Sequence, residues 1–283
     1  MNIEKVLKKM NLPDNAEITP FVNAEDGEAY QVWQINTDGK RYVLKKAKGY
    51  ESQLYKTVLS DLERAVPRLV AMTDCEGETF ILTEFVDGDD LRSADREKIR
   101  DTIDALIYLQ DKFWDFPSDA GLSFETSLGS RISRGEYLCD SKIEEFYLEY
   151  LSLYRQLPRT LCHDDLLPFN VIAGENAAYL IDWEYGGILP YPTSIARLIA
   201  HCEEDENAFF YMRDEDKIFA LDYYYDNLIK KKGISRQEYD RAVDLFLLYE
   251  YCEWIMLGNK YPTADMTRYK AYLEKAYKHI ENM

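Results

Sequence analysis

The 283-residue sequence has little positive charge, no closely spaced cysteines and no long apolar run. It contains 34 Lys and Arg against 52 Asp and Glu, which gives a net charge of −18. Proteins that bind nucleic acid nonspecifically need basic side chains to displace the counterions of the phosphates, so we expect no nucleic-acid partner. The acidic balance is compatible with a cationic ligand, or simply with solubility.

The cysteine and histidine content argues against several kinds of metal site. The five cysteines form no CxxC pair and have no metal-ligand spacing, and neither do the three histidines, at 163, 201 and 279. The sequence also lacks the HExxH and GxSxG motifs of zinc and serine hydrolases. An odd number of cysteines, together with a start that has no apolar signal core, predicts a reducing, cytoplasmic compartment.

Membrane association is not expected either, because no apolar stretch approaches the roughly 18 residues of a membrane span. The richest segment is "LFLLYEYCEWIML", which Glu250 and Glu253 interrupt, and it predicts a buried helix. The hydrophobic fraction of 46% is typical of an ordered protein with a substantial core. We expect a monomer or a weak homodimer.

The first part of the chain has the alternating pattern of β-strands. Two strands are predicted between about Glu28 and Lys46, around a turn at Thr37-Asp38-Gly39. A helix is predicted over residues 50–65, ending before Pro67. A second strand pair follows, with a turn at Glu76-Gly77 and an end near Val86. Residues 1–86 therefore predict an amino-terminal lobe of antiparallel sheet plus helix.

The second part of the chain is mainly helical. Helices are predicted over residues 95–114 and 141–157 and over nearly everything after Ser194. The segment "VDGDDL" at 86–91 favours a turn and is the expected lobe boundary. The fold class is therefore predicted to be α+β, with a β-rich lobe (1–86) followed by a larger helical lobe (87–283) that contains a small sheet.

Oxygen-bearing side chains are concentrated in the segment "LCHDDLLPFNVIAGENAAYLIDWEYGG", residues 161–187. Pro168 excludes a helix interior between Asp165 and Asn170, so this stretch is predicted to be a returning loop. The residues that follow predict a hairpin with a turn at 174–176. That hairpin would bring Asp182 close to Asn170, and Asp165 would share the same small volume.

Three oxygen-bearing side chains so close together would repel one another or lack partners unless a cation joined them. Mg²⁺ is the usual solution, since it is held by few protein oxygens while phosphates and water complete its shell. A carboxylate beside the metal pair can orient a hydroxyl and take its proton, as in protein kinases. The alternative for Asp165 is a loop-stabilising Asp that caps backbone amides.

The sequence "HDDLLPFN", followed after Asn170 by "DWEYGG" at 182–187, resembles the paired motifs of the aminoglycoside phosphotransferase and choline kinase superfamily. The resemblance implies a bilobal protein-kinase-like fold, ATP and Mg²⁺ as cofactors, with GTP not excluded, and transfer to a hydroxyl of a small molecule. It implies that Asp165 is the catalytic base and that Asn170 and Asp182 are metal ligands. His163 would hold the loop by hydrogen bonds, which is also the role of an ordinary buried histidine.

The same resemblance implies a nucleotide site. "RYVLKK" resembles the strand whose lysine, here Lys45, contacts the nucleotide phosphates, and Glu51 is the expected partner of that lysine, with Glu63 as the alternative. "ILTEFVDG" resembles the hinge strand, whose backbone at Glu84, Phe85 and Val86 would bind adenine; the alternative is a plain buried strand.

Two departures from the family pattern stand out. The phosphate-covering segment, residues 21–33, has only Gly27. Pro190 and Ser194 occupy positions where acids are common in the family.

The acceptor is expected to be small and cationic, either of choline or ethanolamine type or of aminoglycoside type. Four residues are candidates for contacting it, as an aromatic wall and a charge that favour ammonium groups: Glu184, Tyr185, Tyr251 and Trp254. Against this, an aromatic residue on a long helix is more often part of the core. The acidic run at 201–216 fits an aminoglycoside, yet such a run is usually a solvated surface.

Two functions from different classes follow. The first is an ATP- and Mg²⁺-dependent O-phosphotransferase. The second is a catalytically idle kinase fold that binds a nucleotide or a metabolite, which the scarcity of glycine in 21–33 and the altered segment after Asp182 motivate.

Overall fold

The computed structural model describes residues 3–22, 27–175, 177–262 and 266–283. Its amino-terminal part contains a five-stranded antiparallel sheet in the order β1-β2-β3-β5-β4. The strands are β1 Glu17–Val22, β2 Ala29–Thr37, β3 Lys40–Lys46, β4 Leu69–Cys75 and β5 Glu78–Glu84. Both predicted strand pairs are therefore confirmed, β2–β3 and β4–β5. Asp38 and Gly39 both have positive φ, 49° and 71°, which suits a tight hairpin turn.

A short helix covers one face of this sheet. α1 (Ile3–Lys9) buries Val6 and Leu7 against sheet residues such as Ile35 and Phe80. The sequence analysis predicted neither α1 nor β1. In β1, five of the six residues are exposed, so the strand lacks the apolar alternation by which strands are recognised.

The helix predicted over residues 50–65 is shorter than expected. α2 spans Glu51–Thr57 and is followed by a 3-10 turn at Leu59–Asp61. The chain then leaves the helical path, because Ala65 has a φ of 71° and its carbonyl accepts a hydrogen bond from Leu180 N at 2.8 Å. A long-range contact therefore overrides the helical spacing of the apolar residues in this segment.

The carboxy-terminal part is helical, as predicted. Several helices begin at a capping side chain that accepts from backbone N–H groups, among them Asp95, Ser123, Asp140 and Ser235. The helices are α3 Arg96–Lys112, α4 Phe124–Gly135, α5 Ser141–Gln156, α6 Pro192–Ala200, α7 Asp214–Asn227, α8 Arg236–Lys260 and α9 Thr267–Asn282. α4 was not predicted, and the segment 201–213 between α6 and α7 is not helical.

Short strands support the segment that carries the acids; four of them lie between α5 and α6, and the first one precedes α3. They are β6 Asp89–Asp90, β7 Arg159–His163, β8 Val171–Ala173, β9 Ala178–Leu180 and β10 Gly186–Pro190. β8 and β9 form the predicted hairpin, and β6 pairs with β8. Of the predicted turn at 174–176, Asn176 lies outside the described residues. The antiparallel pairing of β10 with β7 was not predicted.

Apolar side chains form a small cluster between α1 and the sheet and a much larger one among the helices. Leu54, Tyr55 and Val58 of α2 and the residues that follow belong to the larger cluster, although α2 lies early in the chain. The lobe boundary at 86–91 stays a prediction. Within the described ranges, each helix is too short or too polar to cross a membrane.

Candidate active site

The loop after β7 returns on itself, as the position of Pro168 predicted. Leu167 N donates to Asp165 O at 2.8 Å, and Pro168–Asn170 form a 3-10 turn. The Asn170 side chain then donates through Nδ2 to Asp165 O at 2.8 Å. Asn170 O in turn accepts from Ile181 N at 2.9 Å. These bonds place Asn170 against Asp165 and beside the strand end that carries Asp182.

His163 connects the loop to the segment of Asp182. The Asp165 N–H donates to His163 Nδ1 at 3.3 Å, and His163 Nε2 lies 2.8 Å from Ile181 O. Because Nδ1 accepts, Nε2 carries the proton and donates to the carbonyl, which requires a neutral imidazole. Burial lowers the pKa of His163 and favours the same state, although the Ile181 carbonyl and the charges of Asp165 and Asp182 oppose it. Both carboxylates therefore lie close to this one ring.

Ser194 of α6, which stands where an acid is common in the family, anchors the loop. Its Oγ accepts a hydrogen bond from His163 N at 2.8 Å, and the residue is fully buried. A hydroxyl can serve here because a backbone N–H needs one acceptor oxygen and not a charge. With serine in place of an acid at this position, the loop therefore keeps a hydrogen bond to α6.

Asp165 is partly exposed, at 29% of its side chain, and forms an ion pair with Arg197. Arg197 Nη2 donates to Asp165 Oδ1 at 2.8 Å and Arg197 Nε to the same oxygen at 3.2 Å. Burial raises the pKa of Asp165, and the charge of Arg197 partly offsets the rise. Within the described residues, Oδ2 has no hydrogen-bond donor.

Lys45 lies between two carboxylates. Its Nζ is 2.9 Å from Glu51 Oε2 and also forms an ion pair with Asp182. Burial acts to lower the pKa of Lys45, but the charges of Glu51 and Asp182 outweigh it and the net pKa is raised. The pairing expected of Glu51 is therefore present. Glu63 is exposed and does not contact Lys45 in the described structure.

Asp182 has a left-handed backbone, with φ 64° and ψ 57°, a conformation that Asp tolerates better than most residues. A second contact joins this region to the segment after β3, because Tyr50 N donates to Glu184 O at 2.8 Å. Gly49 makes this approach possible: its φ is 48°, and a Cβ there would lie 2.2 Å from Glu184 O. Only glycine combines this φ with so close an approach.

The hinge segment leaves one backbone donor available. Glu84 N donates to Arg68 O at 3.0 Å and Phe85 N to Arg41 O at 3.2 Å. Val86 N has no hydrogen-bond acceptor within the described part of the chain. Of the three predicted adenine contacts, Val86 is thus the residue whose N–H is free. Part of the segment expected to cover the phosphates, residues 23–26, lies outside the described residues.

The residues present fit a hard divalent cation. Asn170 directs its amide nitrogen to Asp165 O, so its Oδ1, the oxygen that Mg²⁺ would take, points elsewhere. Asp182 supplies a carboxylate that is 42% exposed. The described residues contain no cluster of three or more His, Cys, Asp or Glu arranged for a metal. Such a cluster is not needed if an amide and nucleotide phosphates complete the shell.

The four residues predicted to contact the acceptor fall into two groups. Tyr185 is 48% exposed, and the neighbouring Glu184 raises the pKa of its hydroxyl. Tyr251 and Trp254 instead pack against Tyr272 of α9, with ring centroids 6.2 and 5.6 Å apart.

The aromatic ring of Trp254 already has a cation–π contact. The Arg268 guanidinium lies 4.3 Å from the Trp254 ring centroid. In this state, a continuous aromatic wall of Tyr185, Tyr251 and Trp254 is not formed among the described residues.

The sequence analysis missed the arginines that pair with the acids of the site. Arg131 of α4 is buried and its Nη2 lies 2.6 Å from Asp164 Oδ1. Arg197 of α6 pairs with Asp165 and with two glutamates of α8. One signal was available: Arg197 interrupts the otherwise apolar run "SIARLIA", and a buried arginine needs an acidic partner.

A five-stranded antiparallel sheet followed by a helical part, with the acids on a loop and hairpin between α5 and α6, is a protein-kinase-like fold. Residues 21–216 match the family model described as the phosphotransferase enzyme family. The chain belongs to this family, and it is a small-molecule phosphotransferase by family and fold. By sequence, it has no significant match among curated proteins.

Solved structures with the same fold include a choline kinase from Cryptosporidium parvum Iowa II, with a TM-score of 0.63 and 18% identity over 99% of this chain and 96% of that one. An aminoglycoside phosphotransferase from Alicyclobacillus acidocaldarius has a TM-score of 0.59 and 14% identity over 96% and 97%. An amicoumacin kinase in complex with AMP-PNP has a TM-score of 0.62 and 14% identity over 100% and 94%. The expected superfamily is thereby confirmed.

Proposed function

We propose that the protein transfers a phosphoryl group from ATP to a hydroxyl of a small molecule, in a reaction that depends on Mg²⁺. The observation that carries this proposal is the connection of Lys45, Asp182, His163 and Asp165 through ion pairs and hydrogen bonds. In the proposal, Lys45 is the phosphate-binding cation, Asp182 the metal-binding carboxylate and Asp165 the base. The amicoumacin kinase of similar fold was crystallised with AMP-PNP, which supports a nucleotide donor.

In this mechanism the protein mainly positions charges and reactants. Lys45 would neutralise phosphate oxygens of the nucleotide, and Val86 N would donate to the adenine ring. Asp165 would accept a hydrogen bond from the acceptor hydroxyl through Oδ2 and take its proton as the new P–O bond forms. Asn170 and Asp182 would hold Mg²⁺, which when bound supplies charge neutralisation at the phosphates.

The contacts favour an acceptor with few positive charges over a polycationic one. Glu250 and Glu253, the acids of α8 nearest to Asp165 through Arg197, are both paired with that arginine, and Glu253 is also paired with Arg134. In the acidic run, Asp216 pairs with Arg96 and Arg213. Since Glu250 and Glu253 already have cationic partners, an amino alcohol fits this site better than an aminoglycoside with several ammonium groups.

A coupled ADP-release screen over choline, ethanolamine, simple sugars and a panel of aminoglycosides tests the proposal. We expect turnover with at least one hydroxyl-bearing compound and none without added Mg²⁺. The idle-fold alternative predicts thermal stabilisation by Mg·ATP without ADP release under any condition. That result, obtained with well-folded protein, would remove the catalytic proposal and leave nucleotide binding.

A further inference from the structure

Arg197 joins three segments around the candidate base. It lies on α6 between buried apolar residues, and its side chain is only 16% exposed. Its guanidinium contacts Asp165 on the loop after β7 and Glu250 and Glu253 on α8. Its Nη1 also lies 3.3 Å from His201 Nε2. A single side chain therefore connects the base to the helix behind it.

The five N–H groups of arginine are divided between these partners. Nε and Nη2 both point to Asp165 Oδ1, at 3.2 and 2.8 Å. Nη1 donates to Glu250 Oε2 at 2.7 Å and to Glu253 Oε2 at 2.8 Å. The planar guanidinium fixes the angles between these bonds, which the single ammonium group of lysine cannot do. Glu250 and Glu253 thus set the orientation in which Arg197 meets Asp165.

One oxygen of Asp165 is held and the other is left open. Oδ1 takes both bonds from Arg197, whereas Oδ2 accepts from no described residue. The carboxylate cannot rotate without breaking its two bonds to the guanidinium. A base that must meet a hydroxyl within about 3 Å gains from such restriction, because a misplacement of about 1 Å can cost about 10²-fold in rate.

Packing alone does not require an arginine at this position. α6 and α8 already pack through buried apolar residues, among them Ile195, Leu198, Phe246 and Leu247. Burying a guanidinium with carboxylates carries a desolvation cost, and apolar residues at such sites often give equal or greater stability. The stability of the α6–α8 contact therefore does not explain why position 197 is an arginine. The bonds of Arg197 to Asp165 explain it better.

We propose that Arg197 is a positioning residue, which holds Asp165 through Oδ1 so that Oδ2 faces the acceptor hydroxyl, with Glu250 and Glu253 fixing the arginine. This inference rests on the proposed function, because it assigns Arg197 a role in phosphoryl transfer. It names a contribution from α6 and α8 to a reaction whose other groups lie on β3, the loop after β7 and the strand end at Asp182.

The test compares Arg197→Met, Arg197→Lys and the double variant Arg197→Met/Glu250→Gln. The double variant keeps the net charge of the cluster and removes the buried Glu250 carboxylate that would otherwise lose its arginine, so we expect it to fold even where the single variant is destabilised. The measurements are ADP release from Mg·ATP with the best acceptor of the screen, the dissociation constant of Mg·ATP by calorimetry, and thermal denaturation.

We expect Arg197→Met to lower kcat by about 10²-fold with an unchanged Mg·ATP dissociation constant, since Lys45 and the hinge are not altered. The double variant should recover thermal stability but not kcat, and Arg197→Lys should lie between Arg197→Met and wild type. A further variant, Arg197→Ala, leaves space for a guanidinium ion in place of the missing side chain. Millimolar guanidinium should therefore restore part of the turnover of Arg197→Ala but not that of Arg197→Met.

Wild-type kcat in a folded Arg197→Met protein overturns the inference, and so does full recovery of kcat in the double variant, which would make the arginine a charge-balancing residue only. Absence of ADP release with every compound of the acceptor screen in the wild type is a different result, because it overturns the proposed function and the role of Arg197 together.

Discussion

Asp165 is the residue on which the proposed chemistry depends most directly. Asp165→Asn keeps the shape and the contact with Arg197 but removes the oxygen that accepts a proton. We expect turnover to fall by about 10²–10⁴-fold, measured as ADP release with the best acceptor. The Mg·ATP dissociation constant should stay unchanged, because the proposed nucleotide contacts lie on Lys45 and Val86. A variant that retains the wild-type rate would show that Asp165 is not the base.

Lys45 has a structural role, as the partner of Glu51, and a proposed role in nucleotide binding, and a pair of variants can separate the two. Lys45→Met should weaken Mg·ATP binding in calorimetry, because the phosphates lose a cation. It should also destabilise the fold by about 3 kcal/mol, because Glu51 is left as a buried, unpaired carboxylate; Glu51 is only 4% exposed.

The double variant Lys45→Met/Glu51→Gln is the matched control. It should regain most of the thermal stability that Lys45→Met loses, while nucleotide binding stays weak. If nucleotide binding returned together with stability, Lys45 would serve only as the counter-ion of Glu51.

The residues of the site differ in how far the sequence predicts them. Asp165, Asn170 and Asp182 follow from local sequence, since a proline-containing loop and a short hairpin determine where they lie. Arg197 could not be paired from sequence, because its partners on α8 are 53 and 56 positions away. The same holds for Trp254, whose contact with Arg268 depends on how α9 packs against α8.

At the scale of elements, the segment between β3 and α2 depends on a close backbone approach. Gly49→Ala would place a Cβ 2.2 Å from Glu184 O, whereas at Gly39, which also has a positive φ, a Cβ would meet nothing within 4 Å. Both substitutions carry the backbone cost of an L-residue at positive φ, about 1 kcal/mol. Only Gly49→Ala adds a clash.

We therefore expect Gly49→Ala to lower the melting temperature more than Gly39→Ala and to reduce turnover as well, because it displaces Glu51 and the segment of Asp182. Gly39→Ala should leave turnover unchanged. Equal effects of the two variants on stability and turnover would show that the approach of Gly49 to Glu184 is not needed.

Elements were predicted where one pattern covers many residues, as in the two strand pairs and in α3 and α5. The misses have physical causes. β10 is buried at all five positions and therefore shows no alternation, and β1 is nearly all exposed. The path of the chain after α2 includes a hydrogen bond from Leu180 N to Ala65 O, which joins residues more than a hundred positions apart. The local sequence pattern does not predict contacts between residues so far apart in the chain.

At the scale of the whole molecule, stability should depend on pH through Asp216, which joins α7 to α3. Its carboxylate is fully buried and lies 2.6 Å from Arg96 Nε and 2.7 Å from Arg213 Nε. Burial acts to raise the pKa of Asp216, but the two arginines outweigh it and the pKa is lowered. A lowered pKa means that Asp216 stabilises the fold above its unfolded pKa, about 3.9, and loses this contribution as the pH falls through the folded value.

Asp216→Asn should therefore destabilise the protein at pH 7, by about 1–2 kcal/mol, since both arginines are half-exposed and the ion pairs are partly screened. The difference in melting temperature between this variant and the wild type should shrink as the pH falls below about 4. A difference that stays constant from pH 7 to pH 3 would contradict an ionised Asp216 in the fold.

The packing of α2 has a consequence for the ion pair between Lys45 and Glu51. Leu54, Tyr55 and Val58 are packed with the helical part of the molecule, whereas Lys45 belongs to β3 of the sheet. If the sheet moved relative to the helical part, Lys45 would move with the sheet while Glu51 would stay with α2. The distance between Lys45 Nζ and Glu51 Oε2, 2.9 Å in this structure, is therefore a measure of how the sheet sits against the helical part.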